Sequence, residues 1–196
     1  GTLRDFRMEH PDFEAGVVAN DHGIVEPELG PDGLPVYASD DVTPTTHGKE
    51  AFDGWYRDVR GVNLSLPWEA ELESVGNARV FRDDTFFPLD DQGFGHEGLE
   101  HNFHFTLEAH ARFRFAGTEV FAFQGDDDFW AFVNGRIAID LGGVHGTESA
   151  SVHLGARAGE LGLVVGETYD LDIFFAERHT SGSVFGVAMT GFELCE

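Results

Sequence analysis

Asp126, Asp127 and Asp128 are consecutive in the chain. They sit between an aromatic strand predicted over Glu119–Phe123 and an aromatic hairpin predicted over Phe129–Val133 and Arg136–Asp140. Three carboxylates at the end of an apolar strand are unfavourable unless something cationic compensates them. Arg136 is the only arginine or lysine between Arg114 and Arg157. A hard divalent cation is the natural partner, because oxygen-rich sites of Asp and backbone carbonyls suit Ca²⁺. A solvated turn would also use aspartate, so the triplet alone leaves both readings open.

Three further loops gather glycine or polar residues. Asp140-Leu141-Gly142-Gly143-Val144-His145-Gly146 leaves the hairpin, Glu177-Arg178-His179-Thr180-Ser181-Gly182-Ser183 follows a later strand, and Pro88-Leu89-Asp90-Asp91-Gln92-Gly93 precedes the longest strand. The Gly142-Gly143 pair reads as a tight turn needing positive φ that lets backbone approach, and Asp90–Gly93 reads as a turn. Adjacent Glu177 and Arg178 are expected to form a structural ion pair, since an arginine beside a metal opposes it electrostatically. If the Glu119–Phe123 and Tyr169–Phe175 strands run parallel in space, the aspartates and the Glu177–Ser183 loop share one end of the fold.

The elements that must position these loops are strands. From Phe103 to Phe115 apolar residues alternate with polar ones, a period of two that marks a strand with one buried and one wetter face. Alternation returns at Tyr169–Phe175 and at Phe185–Met189, and Asn134-Gly135 is the preferred two-residue hairpin turn. The first ninety residues are rich in Gly, Pro and Asp. They predict loops and short strands, with a short helix around Gly48–Arg57. With 25 Gly and 19 Phe in 196 residues, the fold class is all-β: an antiparallel β-sandwich with long irregular loops and at most short helices. One module over residues 1–196 is expected, cut from a larger surface protein and monomeric when isolated.

The charge excludes some partners. With 36 acids against 12 bases the formal net charge is -24, a field that repels nucleic acid and anionic lipid and attracts cations. No apolar run is long enough to span a bilayer, so membrane insertion by this module is not expected. Cys195 is the only cysteine, which rules out an internal disulfide. Enzyme signatures do not assemble: there is no Gly-x-Ser-x-Gly elbow and no His-Glu-x-x-His, and the glycine-rich loops argue against a deep catalytic cleft. His104, Glu108 and His110 share a strand face, but with no His-x-His pair they read as a wet sheet surface near His101 rather than a metal site. Trp55 and Trp68 read as core. Trp130 follows the aspartates closely enough to be a sugar-stacking candidate.

Several strings in fixed order resemble the fibro-slime domain: Arg4-Asp5-Phe6, His10-Pro11-Asp12-Phe13-Glu14, Phe86-Phe87-Pro88-Leu89-Asp90, His101-Asn102-Phe103-His104-Phe105-Thr106, Gly125–Trp130, Asp140–His145 and Phe174–His179. That family is a branch of the β-sandwich modules named after the anthrax protective antigen, and the resemblance covers essentially the whole chain. It implies a calcium-dependent lectin-like module of an extracellular or cell-surface adhesin, with adjacent aspartates joined by a cis peptide holding a Ca²⁺ that the sugar also touches. Carried onto this chain, the pair is Asp126 and Asp127. His179 and Ser181 are the further metal-ligand candidates, with Thr180, Ser181 and Gly182 beside the sugar. The sequence does not rank Glu177, His179, Thr180 and Ser181 as ligands. The expected partner is a surface glycan or polysaccharide with fucose-, glucose- or mannose-like units. The alternative is a structural or protein-binding matrix module in which calcium only rigidifies loops.

Overall fold

In the computed structural model, which describes residues 1–13 and 16–195, every ladder is antiparallel. The strands are β1 (Thr2–Phe6), β2 (Ala19–Asn20), β3 (Asn63–Pro67), β4 (Glu73–Val75), β5 (Ala78–Asp83), β6 (Phe105–Arg114), β7 (Val120–Gly125), β8 (Asp128–Val133), β9 (Arg136–Leu141), β10 (Gly143–Val144), β11 (Glu148–His153), β12 (Thr168–Glu177), β13 (Phe185–Thr190) and β14 (Glu193–Leu194). The larger sheet has the order β3-β1-β6-β12-β8-β9, with β14 also on β6. The smaller has the order β11-β7-β13-β5-β4, and β10 pairs with β2 in a separate short ladder. The expected all-β sandwich is present. The only α-helices among the described residues are single turns at Lys49–Phe52 and Ala158–Leu161.

Alternation decides which residues enter the sandwich. Phe105, Leu107 and Phe113 from β6, Phe129 from β8 and Phe175 from β12 face Phe121 and Phe123 of β7 and Phe185 of β13 in one buried cluster. The Phe123 and Phe129 rings stack at 3.6 Å between centroids. The hairpin of β8 and β9 closes as the sequence predicts, with Asn134 at φ 54° and Gly135 at φ 70°, the two positive values a type I′ turn requires.

The polar face of β6 departs from expectation. A second core of Phe6, Phe13, Phe52, Trp55 and Tyr56 covers the outer face of the larger sheet and packs on Trp130, Phe132 and Phe174. His104 and Thr106 are therefore buried, and the Thr106 hydroxyl donates to the Trp55 carbonyl at 2.6 Å. Only from His110 onward does this face reach water. The same layer explains the unbroken apolar run of β8, which is buried on both sides. Trp130, a stacking candidate in the sequence, is fully buried there, with its indole N–H donated to Asp140 at 2.9 Å. Its alternation parity places it opposite the sandwich core, against the N-terminal layer.

His110 carries a testable charge. Asp172 at 2.8 Å and Glu108 at 3.8 Å push its pKa up to about 9 from the usual 6.5. A group whose folded pKa is raised contributes stability that is complete below its unfolded value and lost as pH rises through the folded one. Wild type should therefore lose stability between about pH 6.5 and 9 more steeply than His110→Gln. Denaturant titrations at pH 6 and pH 9.5 measure this; equal losses in both proteins would refute the pairing. About half of the side chain is exposed, so solvent screens the effect and keeps it modest.

Candidate functional site

The aspartates lie where the chain crosses between sheets. β7 ends at Gly125 in the smaller sheet and β8 begins at Asp128 in the larger, so Asp126 and Asp127 form a two-residue crossover. The segment from Arg178 to Val184 is a second crossover, between β12 and β13, and the 141–147 stretch is a third. All three meet at one end of the sandwich, so the aspartates and the Glu177–Ser183 loop do converge. The close passage requires glycine at position 125, where a Cβ would fall 2.3 Å from the Val184 carbonyl oxygen and 2.5 Å from the Phe123 ring.

The carboxylates tie the crossovers together. Asp126 accepts the Val184 N–H at 2.5 Å. Asp127 accepts the His145 N–H at 3.1 Å through one oxygen, and the Arg178 and His179 N–H groups, each at 2.9 Å, through the other. Asp128 accepts the Gly143 N–H at 2.7 Å and the Arg178 guanidinium at 2.6 Å. The Asp126–Asp127 peptide is trans, the form favoured by about 3–4 kcal/mol between non-proline residues. The cis link implied by the family resemblance is not present.

Arg178, fully buried, is the cation that Asp128 needed. Its guanidinium also donates to the carbonyls of Thr45 at 2.5 Å and Asp12 at 3.3 Å and to the Thr45 hydroxyl at 3.1 Å. It lies 4.7 Å over the Trp55 ring. The expected Glu177–Arg178 ion pair is thus wrong. Neighbours on a strand point to opposite faces, so Arg178 turns toward the N-terminal layer while Glu177 turns away from it.

Among the described residues Glu177 has no counterion. It is 1% exposed, and its Oε2 and the Oγ of buried Ser183 have no hydrogen-bond partner among them. Burial, then the charges of Asp127 and Asp126, push its pKa well up, against a smaller opposing influence of nearby Ser183 and the His179 N–H. Burial also raises Asp126 and Asp127, with Arg178 and backbone N–H groups opposing the rise at Asp127. Asp128 is raised by burial to about 6, against the pull of Arg178. The end of the sandwich thus gathers four carboxyl groups around one arginine.

Above the aspartates lies an open cleft of about 300 Å³, and Asp126, Asp127, His179, Ser181 and Gly182 all line it. Thr180 does not. His179 Nδ1 and Ser181 Oγ are 2.9 Å apart. Val18, Val144, His145 and Thr147 complete the walls. Among the described residues, no three His, Cys, Asp or Glu side chains enclose a metal by themselves. A cation held here would draw on main-chain carbonyls, hydroxyls or ligand oxygens as well. The donor chemistry suits Ca²⁺, which takes six to eight oxygens in flexible geometry, and the unpartnered Glu177 oxygen beside Asp126 and Asp127 is a buried polar atom that calls for an explanation.

Local pattern did not assign three contributors the roles they take. His145 supplies its main-chain N–H, Arg178 is Asp128's partner, and Val18 comes from the Gly- and Pro-rich N-terminal stretch. The register of Asp128 opposite Ala176, two residues before Arg178, is the signal that links the ion pair, and it exists only once strand order is known. Asp127, at the end of the predicted strand, is 2% exposed. Its removal would strand three backbone N–H groups, so Asp127→Ala perturbs the fold as well as the site. The turn at Asp90 is present, with its carboxylate on His101 at 2.7 Å and on the Asn102 N–H at 2.9 Å. Glu14, the last residue of one resemblance string, lies outside the described residues.

These features define a β-sandwich module whose acidic crossover loops form an open cleft at one end. The chain belongs to the PA14 family, whose domain model matches residues 72–193; the fibro-slime motifs agree with that placement. Protein psiD of Dictyostelium discoideum is similar, at 38% identity over 201 residues, covering 94% of this chain and 38% of psiD. Protein psiR of the same organism is 39% identical over 189 residues, covering 87% of this chain and 19% of psiR. The chain thus spans less than two-fifths of these relatives. Among solved structures, a PA14 sugar-binding domain from an RTX adhesin is matched at a TM-score of 0.34 and 15% identity, over 49% of this chain and 53% of that one. No helix among the described residues is long and apolar enough to cross a membrane.

Proposed function

We propose that this module binds carbohydrate at the cleft over Asp126 and Asp127 in a calcium-dependent way, as part of a longer extracellular or surface protein. The observation that carries this reading is the uncompensated carboxylate cluster, with Glu177 Oε2 buried and unpartnered beside two aspartates at the cleft floor. Asp126 and Asp127 would hold the ion with oxygens of the 179–182 segment, Ser181 among them. His179 would contribute through its carbonyl, because Ca²⁺ selects oxygen. Ca²⁺ held there would supply coordination for two vicinal sugar hydroxyls. Around it, Asp127 fixes the 145 and 178–179 backbones, and Ser181 and Gly182 form the exposed rim that a sugar would meet.

Affinity for one monosaccharide would be weak, around millimolar (about -4 kcal/mol), because the open cleft buries little apolar surface. Many copies acting together would raise avidity by roughly 10²–10⁴. The test is a glycan array probed in calcium and in EDTA. Binding to vicinal-diol sugars that disappears in EDTA is expected, and deoxy analogues lacking either hydroxyl should lose most of it. Binding that survives EDTA unchanged refutes metal-mediated recognition.

A second reading has its own observation. Asp127 accepts three backbone N–H groups from two loops, as a purely structural carboxylate would. In a matrix module of that kind calcium would raise the melting temperature while no glycan bound.

A further inference from the structure

We infer that Val18, from the N-terminal segment outside the PA14-matched region, is a specificity-determining residue of the cleft, which favours pyranoses that carry aliphatic carbon beside the recognised diol. This deepens the glycan-binding reading above and rests on it.

Val18 is placed by a short docking ladder. Ala19 and Asn20 pair with Val144 and Gly143, the Asp21 N–H donates to the Gly142 carbonyl at 2.7 Å, and the Asn20 amide donates to Glu148 at 2.7 Å. Glycine at 143 is what permits this approach. With φ at +124°, a Cβ there would lie 2.4 Å from the Ala19 carbonyl oxygen. The segment is thereby held against the 141–147 crossover, and the residue just before the ladder projects at the rim.

At that rim Val18 is 67% exposed and lines the cleft. The other aliphatic residue lining the cleft, Val144, is buried. Among the described residues no Phe, Tyr or Trp lines the cleft, and Trp55 and Trp130 are sealed in the second core. The cleft therefore has no aromatic platform on which a sugar ring could stack. Its floor is acidic, its 179–182 wall is polar, and Val18 is the exposed aliphatic surface it offers. A pyranose whose diol faces the aspartates can direct a C–H edge or a deoxy carbon at Val18. A hydroxymethyl group at the same place would present an oxygen to an apolar side chain.

The test uses matched sugars that differ only in the oxygen on C6, L-fucose against L-galactose and L-rhamnose against L-mannose, as competitors for an immobilised glycan in calcium. Val18→Thr keeps the side-chain shape and replaces a methyl by a hydroxyl. In wild type, the 6-deoxy member of whichever pair competes should be preferred by roughly fourfold, equivalent to about 0.8 kcal/mol for one aliphatic group. In Val18→Thr that preference should fall close to one. The rise in melting temperature on adding calcium without sugar should be the same in both proteins. Unchanged preference in the variant, or preference for the C6 hydroxyl in wild type, overturns the role of Val18 while leaving the glycan site standing. Loss of the calcium effect in the variant also overturns it, by making Val18 a structural residue. If wild type binds glucose or mannose in calcium but none of the four sugars, this inference alone fails; if it binds none of these sugars, the glycan-binding reading fails, and this inference with it.

Discussion

Replacing Arg178 with methionine should destabilise the module by about 3–5 kcal/mol, because it leaves the Asp128 carboxylate buried without its partner. Arg178 and Asp128 have side chains 1% and 0% exposed, so water cannot take over. For a chain of this size the melting temperature should fall by roughly 6–20 °C, at about 2–4 °C per kcal/mol. The loss should depend on pH. Asp128 already has its pKa raised by burial to about 6, and Arg178 is what holds it from rising further. A carboxyl whose folded pKa is raised penalises the folded state as it ionises, so that penalty appears as pH climbs from about 4 through 6. Arg178→Met should accordingly be less damaging at pH 5 than at pH 8. Adding Asp128→Asn should recover part of the stability, since Asp128 then carries no unpaired charge, while Asp127 still lacks the nearby guanidinium. Thermal melts of the two single variants and the double variant at both pH values decide this. A single variant melting within two or three degrees of wild type at pH 8 would show that the pair does not hold the crossovers.

Calcium withdrawal should give the second large effect. An ion at a hundred times its dissociation constant adds about 2.7 kcal/mol to the folded state, or roughly 5–11 °C of melting temperature. Asp126→Asn should abolish that increment and glycan binding together. Asparagine keeps an oxygen in place for the Val184 N–H, which Asp126 now accepts, so the crossover should survive while the charge is lost. Asp126 is also only half-buried at the cleft floor, in contrast to Asp127, whose replacement would damage the loops directly. Identical melting curves for wild type in excess calcium and in EDTA would count decisively against a cation at this site. A calcium response that persists in Asp126→Asn would move the ion away from this aspartate.

The sandwich was legible because strand periodicity is local. The alternation through β6, β12 and β13 and the Asn134-Gly135 turn depend on residues within a few positions of one another, and each appears where the residues indicate. The location of an acidic loop at a strand end was equally plain. The sequence could not show what neutralises each carboxylate, because that is a matter of partners far apart in the chain. Arg178 meets Asp128 across 50 residues and Thr45 across 133. Sequence adjacency suggested Glu177 as its partner, but consecutive strand residues face opposite ways.

The same distinction governs the faces of the larger sheet. A polar residue in alternation implies water only if nothing covers it, and here residues lacking clear periodicity fold over His104 and Thr106 and bury Trp130. Local pattern thus determined the strands, the hairpin and the acidic crossover. Tertiary packing decided which carboxylate is paired by arginine and which is left without a cation. It also decided that an N-terminal valine enters the cleft, because charge pairing and burial are set by surfaces that meet only when the chain has folded.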